Sequence, residues 1–279
     1  MRALRGQALS FAAITSRRHQ SVAAFRDAAR GDSPGLMLLD GPHLVSDALS
    51  AGVTIRHAAV RADALGGGEL AALAERLTRA HIDVTSVSAP VMAALSPVKS
   101  PSAIVALADR PQTSAGQLYA VPSPLVALAA DVQDPGNLGA IVRVAEAAGA
   151  TGLVAAGGCA DPYGWKTLRG SMGSGLRLPI LPQRDVAAAV RQARLSNCRI
   201  AALIPRGGQS LYDLDYTTPI AILIGGEGPG LPAAVVADAD DRVTIPMQTP
   251  VESLNAAVAT ALVLYEARRQ RDRHGLAVS

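Results

Sequence analysis

Three polar clusters, each set directly behind an apolar run, carry the residues of this chain that could do chemistry. Asp134-Pro-Gly-Asn137-Leu-Gly139 follows the run Leu125 to Ala130, and Arg143 stands about one and a half helical turns beyond Asn137. Ile224-Gly-Gly-Glu227-Gly-Pro-Gly230-Leu231 closes the run that starts at Ile220, and Ile245-Pro-Met247 leads on to Ser253-Leu-Asn255. Loops at the carboxyl ends of strands are where open α/β sheets gather their ligand sites. In the first, Arg143 is a fixed cation able to reach back over the loop. In the second, glycines let a backbone approach something closely or take positive φ. In the third, Ser253 suits the N-cap of a long helix. Each cluster also has a plain structural reading: a turn with a surface arginine, a tight turn, a helix cap.

Other chemistries fail on spacing. Gly-x-Gly-x-x-Gly counted from Gly226 demands glycine where Leu231 stands, and no Walker lysine follows, which argues against an ordinary dinucleotide-binding enzyme. Gly170-Ser-Met-Gly-Ser-Gly175 does not fit a hydrolase elbow. His19, His43, His57, His81 and His274 are scattered, and Cys159 and Cys198 lie far apart without metal spacing. No metal is called for. Trp165 with Tyr163 could stack on a nucleic-acid base or simply pack at a helix start.

The elements that must position these residues fall into two groups. Leu36 to Leu39, Ile55 to Val60, Ile82 to Val87 and Ala103 to Ala108 are predicted strands. Helices are predicted from Pro42 to Ser50, Glu69 to Ala80 and Pro90 to Leu95. Arg110 to Pro122, rich in Pro, Ser, Thr and Gly, is the expected linker. Beyond it, strands at 125–130, 153–156, 178–181, 200–204, 220–224 and 243–246 alternate with helices at 138–148, 165–172, 185–195, 231–237 and 253–270. That alternation predicts a mostly parallel sheet covered on both faces. In the last helix Leu254, Val258, Ala261, Leu262 and Tyr265 share one stripe.

Composition sets the outer bounds. With 279 residues, 49% apolar, and a mean hydropathy of +0.24, the chain can fill two cores, and no run is uninterrupted enough to span a membrane. The net charge is +3, distributed as +5 over residues 1–30, +2 from Glu266 onward and −4 between. Two arginine-rich ends suit phosphate backbones. The first of them also has the Arg-rich, acid-poor look of a transit peptide, so a cytoplasmic location carries an organellar alternative.

In order and content the three clusters resemble the motifs of the SpoU (TrmH-like) branch of the SPOUT RNA methyltransferases. Ile14 to Val22, the segment 40–49 and Ser96 to Leu107 are similar to that family's basic opening and accessory domain. The resemblance implies a basic arm at 1–30, a small α/β substrate-binding domain at 31–109, the linker at 110–122, and a catalytic domain at 123–279. It implies that the catalytic domain is a deep trefoil knot which binds S-adenosylmethionine and pairs into a homodimer. On it, Gly225, Ile245, Met247 and Leu254 hold the cofactor, while Asn137, Arg143, Glu227, Ser253 and Asn255 form the active site.

The implied reaction moves a methyl group to a ribose 2′-hydroxyl of structured RNA, ribosomal or transfer RNA, with the accessory domain favouring ribosomal RNA. An arginine stays protonated, so Arg143 as general base needs help from a phosphate; alternatively it stabilises the developing alkoxide. A non-catalytic RNA-binding or ribosome-assembly factor with the same fold is the competing expectation.

Overall fold

The computed structural model describes residues 11–228 and 230–276, which divide into one compact unit ending at Pro111 and another beginning at Gln112. The first contains β1 (Ala12–Ile14), α1 (Gln20–Arg30), β2 (Leu36–Asp40), α2 (Pro42–Ser50), β3 (Ile55–Arg61), α3 (Gly68–Arg79), β4 (Asp83–Val87), α4 (Ala89–Leu95) and β5 (Ile104–Asp109). Its strands lie in the order β1-β4-β3-β5-β2, with β5 antiparallel to both neighbours and the other pairs parallel.

The basic segment 1–30 is not an appended arm over its described part. β1 pairs with β4, and α1 buries Val22, Phe25 and Ala28, three residues apart on one face, against Leu38, Met92 and Leu95. Three of its four described arginines are also engaged. Arg17 and Arg26 donate to the Pro90 and Ala94 carbonyls, and Arg30 sits between Asp27 and Asp32. Arg2 and Arg5 lie outside the described residues.

The second unit contains α5 (Ala115–Tyr119), β6 (Leu125–Ala130), α6 (Pro135–Ala147), β7 (Gly152–Ala156), α7 (Trp165–Ser171), β8 (Ile180–Gln183), α8 (Val186–Leu195), β9 (Arg199–Leu203), β10 (Gln209–Ser210), β11 (Ile220–Gly225), α9 (Ala233–Asp238), β12 (Asp241–Thr244) and α10 (Ala256–Arg273). Its strands are parallel throughout, in the order β10-β12-β9-β11-β6-β7-β8. β6 and β7 are buried along their whole length, as runs such as Leu-Val-Ala-Leu-Ala-Ala require when helices cover both faces. The chain lays down β6, β7 and β8 outward, crosses to β9, and only then inserts β11 between β9 and β6. That reversal opens a crevice at the carboxyl ends of the central strands.

Two further expectations are corrected. The linker at 110–122 holds α5, opened by a capping box of Ser114 and Gln117, and Leu118 and Tyr119 enter the core. Three of the four arginines near the end of α10 are engaged within the protein. Arg271 is 3% exposed and donates to the carbonyls of Ser123 (2.6 Å), Tyr216 (2.8 Å), Thr218 (3.0 Å) and Pro124 (3.3 Å). Arg269 pairs with Glu266 at 2.6 Å, and Arg268 donates to the Ala147 carbonyl. The four carbonyls bound by Arg271 lie near the starts of β6 and β11; that of Pro124 also accepts the Ile220 amide at 3.0 Å, and a guanidinium with five donors can serve all four at once.

Arg271→Met removes those donors while keeping much of the volume. It is expected to lower unfolding free energy by about 3–5 kcal/mol, because several buried acceptors lose their partner at once. Urea denaturation checks this, and a loss under about 1 kcal/mol would show that the carbonyl cluster does not depend on Arg271.

Candidate active site

At the end of β6 the chain turns through Asp131, at φ 56°, whose carboxylate accepts from the Gly158 amide at 2.6 Å. Asp134 then caps α6 by accepting from the Asn137 amide at 2.8 Å, with Pro135 at the first helical position. Asn137 is thereby fixed in the first turn of α6. Gly139, two residues later, touches α7: a β-carbon there would lie 2.6 Å from the Thr167 carbonyl and 3.0 Å from Gly170.

The glycine-rich loop behind β11 folds back on itself and onto the β6 loop. A β-carbon at Gly225 would come within 2.7 Å of the Leu231 amide, and one at Gly226 would overlap the Asp131 carbonyl. The Gly226 amide donates to the Ala130 carbonyl at 2.8 Å, and Gly228 and Gly230 take φ values of 92° and 69°. Here the glycines are required by close backbone approach as well as by turn geometry.

The three clusters meet at one carboxamide. Asn137 donates through Nδ2 to the Glu227 carboxylate, and its Oδ1 accepts from Asn255 Nδ2 at 2.9 Å. Asn255 in turn caps α10, its Oδ1 accepting from the amides of Ala257 (2.9 Å) and Val258 (3.3 Å). The cap is therefore Asn255 rather than Ser253, because α10 begins at Ala256 and leaves Ser253 exposed in the preceding loop. The helices α6 and α10 run side by side in the same direction: Asn137 meets Asn255 near their starts, and Ala147 meets Arg268 near their ends.

Beside this network lies a cavity of about 520 Å³. Gly225, Ile245, Met247 and Leu254 line it, as do Glu227, Ser253 and Asn255. Asn137 reaches it through Glu227 and Asn255. Arg143 does not line it; it stands exposed on the outer ridge of α6, one turn past Gly139, with no hydrogen bond or ion pair to a described residue. Sequence reasoning missed Leu203, Ile204 and Pro205, which form the opposite wall at the end of β9. The available signal was the one used elsewhere, an apolar run ending in Pro and Gly.

The last helix presents its stripe differently from the sequence reading. Val258, Leu262 and Tyr265 are 49%, 43% and 50% exposed, while Ala257, Thr260, Val263, Leu264 and Ala267 face inward. Ala257, Thr260 and Ala267 keep part of the inner face small where α10 lies beside α6, Val263 and Leu264 fill the rest, and Val258, Leu262 and Tyr265 are left outside. Near the β6 loop, Cys159 is held between the Val132 amide and the Ala129 carbonyl, and burial raises its pKa; burial pushes Cys198 up to about 11. Neither is an activated thiol.

Residues 124–265 match the model of the SpoU rRNA Methylase family, and residues 21–106 match that of the MRM3-like substrate binding domain. An uncharacterised tRNA/rRNA methyltransferase of Synechocystis sp. is 34% identical over 240 residues, 85% of each chain. The 23S rRNA (guanosine(2553)-2′-O)-methyltransferase RlmP of Bacillus subtilis is 28% identical over 231 residues, 83% of this chain and 88% of its own. Among solved structures, the SpoU methyltransferase AviRb of Streptomyces viridochromogenes in complex with AdoMet superposes with a TM-score of 0.81 at 27% identity, over 91% of this chain and 99% of its own.

The two jobs of Asn255 separate by substitution. Asn255→Ala loses the cap and is expected to cost roughly 1 kcal/mol of stability. Asn255→Asp keeps the cap acceptor but has no donor for Asn137, and is expected to cost less than half as much. Thermal unfolding of both variants is the check; equal losses would mean that the cap is not what Asn255 contributes to stability.

Proposed function

This chain belongs to the SpoU rRNA methylase family, and from that premise we propose that it methylates a ribose 2′-hydroxyl of structured RNA, ribosomal RNA in particular. S-adenosylmethionine is the methyl donor. The observation that carries the reading is the Glu227–Asn137–Asn255 network set against a cavity of nucleoside size. Support for ribosomal RNA comes from the printed activity of RlmP and from the match of the first unit to a substrate-binding domain.

The residues present fit the donor. Gly225 and Gly226 leave no room for a β-carbon, so main chain forms that wall, and Ile245, Met247, Leu254 and Leu203 offer apolar surface for a purine. Bound there, S-adenosylmethionine supplies an electrophilic methyl group on a sulfonium. Asn137, Glu227, Ser253 and Asn255 then position the target ribose at the polar side of the cavity, and alignment of this kind supplies a large share of a transfer rate. Arg143 stabilises the negative charge developing on the 2′ oxygen, the proton leaving to water or to a neighbouring phosphate.

Because Arg143 stands off its own cavity, we assign it to the cavity of a second copy. The exposed apolar stripe Val258, Leu262 and Tyr265, beside α6, supports a homodimer formed across these two helices. The late insertion of β11, together with the 225–231 and 247–255 segments closing on the β6 loop, supports the trefoil knot. A cytoplasmic location belongs to the same proposal: residues 12–30 are structural, so cleavage after them would remove β1 and α1.

Arg143→Ala is expected to lower methyl incorporation into RNA by about 10²-fold or more while leaving S-adenosylmethionine affinity within about twofold by calorimetry. Near-normal turnover would contradict the role. Mixing Arg143→Ala with Asn137→Ala subunits is expected to restore about a quarter of normal activity, since each mixed dimer rebuilds one complete site. No recovery from confirmed mixed dimers would place Arg143 in its own chain's site.

A further inference from the structure

Most arginines of the second unit are already engaged: Arg177 with Glu146, Arg194 with Asp240, Arg199 with Asp241, and Arg271 with main-chain carbonyls. The outward face of α7 is different. Thr167, Leu168 and Ser171 are buried, which turns Trp165, Lys166 and Arg169 to the other side of the helix. Lys166 and Arg169 are exposed and have no ion pair to a described residue. The Lys166 ammonium lies 5.5 Å from the centre of the half-buried Trp165 ring. No acidic residue occurs on α7.

This face is held beside the candidate active site by backbone. Gly139 packs on Thr167 and Gly170, and a β-carbon on Gly170 would meet Gly136 at 3.5 Å, so α7 crosses α6 over the very turn that carries Asn137. Arg143 follows Gly136 by seven residues and Gly139 by four, which places it on the same side of α6. The α6 and α7 pair thus carries three cations with no ion pair to a described residue, Arg143 on α6 and Lys166 and Arg169 on α7, and an aromatic ring beside Lys166.

We propose that the outward face of α7 is a binding track for the RNA strand flanking the target ribose. Lys166 and Arg169 take backbone phosphates, and the free side of Trp165 takes an unstacked base. The proposal rests on the RNA methyltransferase reading above. Charge decides the occupant: side chains three apart on a helix hold their charges at neighbouring positions, and a polyanion with regularly spaced phosphates satisfies both at once. An aromatic next to such cations is the combination that binds single-stranded nucleic acid without demanding a sequence. Accessible RNA nucleotides are the ones free to stack this way.

The test measures binding of a fluorescein-labelled single-stranded RNA of about 20 nucleotides across a salt series, with S-adenosylmethionine calorimetry on every variant. Lys166→Ala combined with Arg169→Ala is expected to lower affinity about tenfold or more at low salt. It should also flatten the slope of log affinity against log salt by about 1.4, the contribution of two single-strand phosphates. The swap Lys166→Arg with Arg169→Lys stays within about threefold of the unsubstituted protein. Trp165→Ala costs about fivefold or more with the slope unchanged. Unchanged affinity and slope in the double alanine variant, with donor binding intact, would overturn the track and leave the methyltransferase reading standing. An unsubstituted protein that binds neither RNA nor S-adenosylmethionine would overturn both.

Discussion

The carboxamide of Asn137 is the point through which the catalytic unit becomes a site. It is a donor to Glu227 and an acceptor from Asn255, so segments 90 and 118 residues further along the chain meet on one side chain. A carboxamide suits this because it offers both roles at fixed geometry, whereas a carboxylate accepts only. Its own position comes from Asp134, which caps α6 and holds the Asn137 amide. The other end is equally determined, since Asn255 shares its side chain between the network and the start of α10. Helix capping and site assembly are therefore one set of hydrogen bonds.

Close backbone packing makes that meeting possible. Gly226 brings the loop behind β11 against the Asp131 carbonyl, and Gly139 brings α6 against α7. Ala257, Thr260 and Ala267 keep part of the inner face of α10 small where it lies along α6, and Arg271 binds the far end of α10 to carbonyls near the starts of β6 and β11. The sheet supplies the frame: β11 lies between β9 and β6, so its loop faces the loops of both neighbours. What remains outside, the apolar stripe of α10 and the cations of α6 and α7, is surface that the unit does not use internally.

Much of this was legible in the sequence because apolar runs ending in Gly, Pro, Asn or Asp mark strand ends in any parallel sheet. Seven of the nine proposed site residues line one cavity, and Asn137 joins it through hydrogen bonds. Local signals misled where two residues competed for one role. Ser253 and Asn255 are both good caps, and only the start of α10 at Ala256 decides between them. Charge counting misled for a related reason: Arg26 and Arg271 look like free cations until the carbonyls that they satisfy are brought near by folding. The stripe of α10 was visible as a pattern, but periodicity does not say which side faces inward when Ala and Thr are the better packing residues. The wall from Leu203 to Pro205 depends on β9 becoming a neighbour of β11, a fact of topology that local sequence does not carry.

The central claim is that these loops align a methyl donor with a ribose hydroxyl of RNA. It is tested most directly by incubating ribosomal RNA with the purified protein and isotope-labelled S-adenosylmethionine, then digesting to nucleosides for mass spectrometry. The account predicts label in a 2′-O-methylnucleoside, lost with Asn137→Ala. Label on a base, or a 2′-O-methyl product that Asn137→Ala forms equally well, would contradict it.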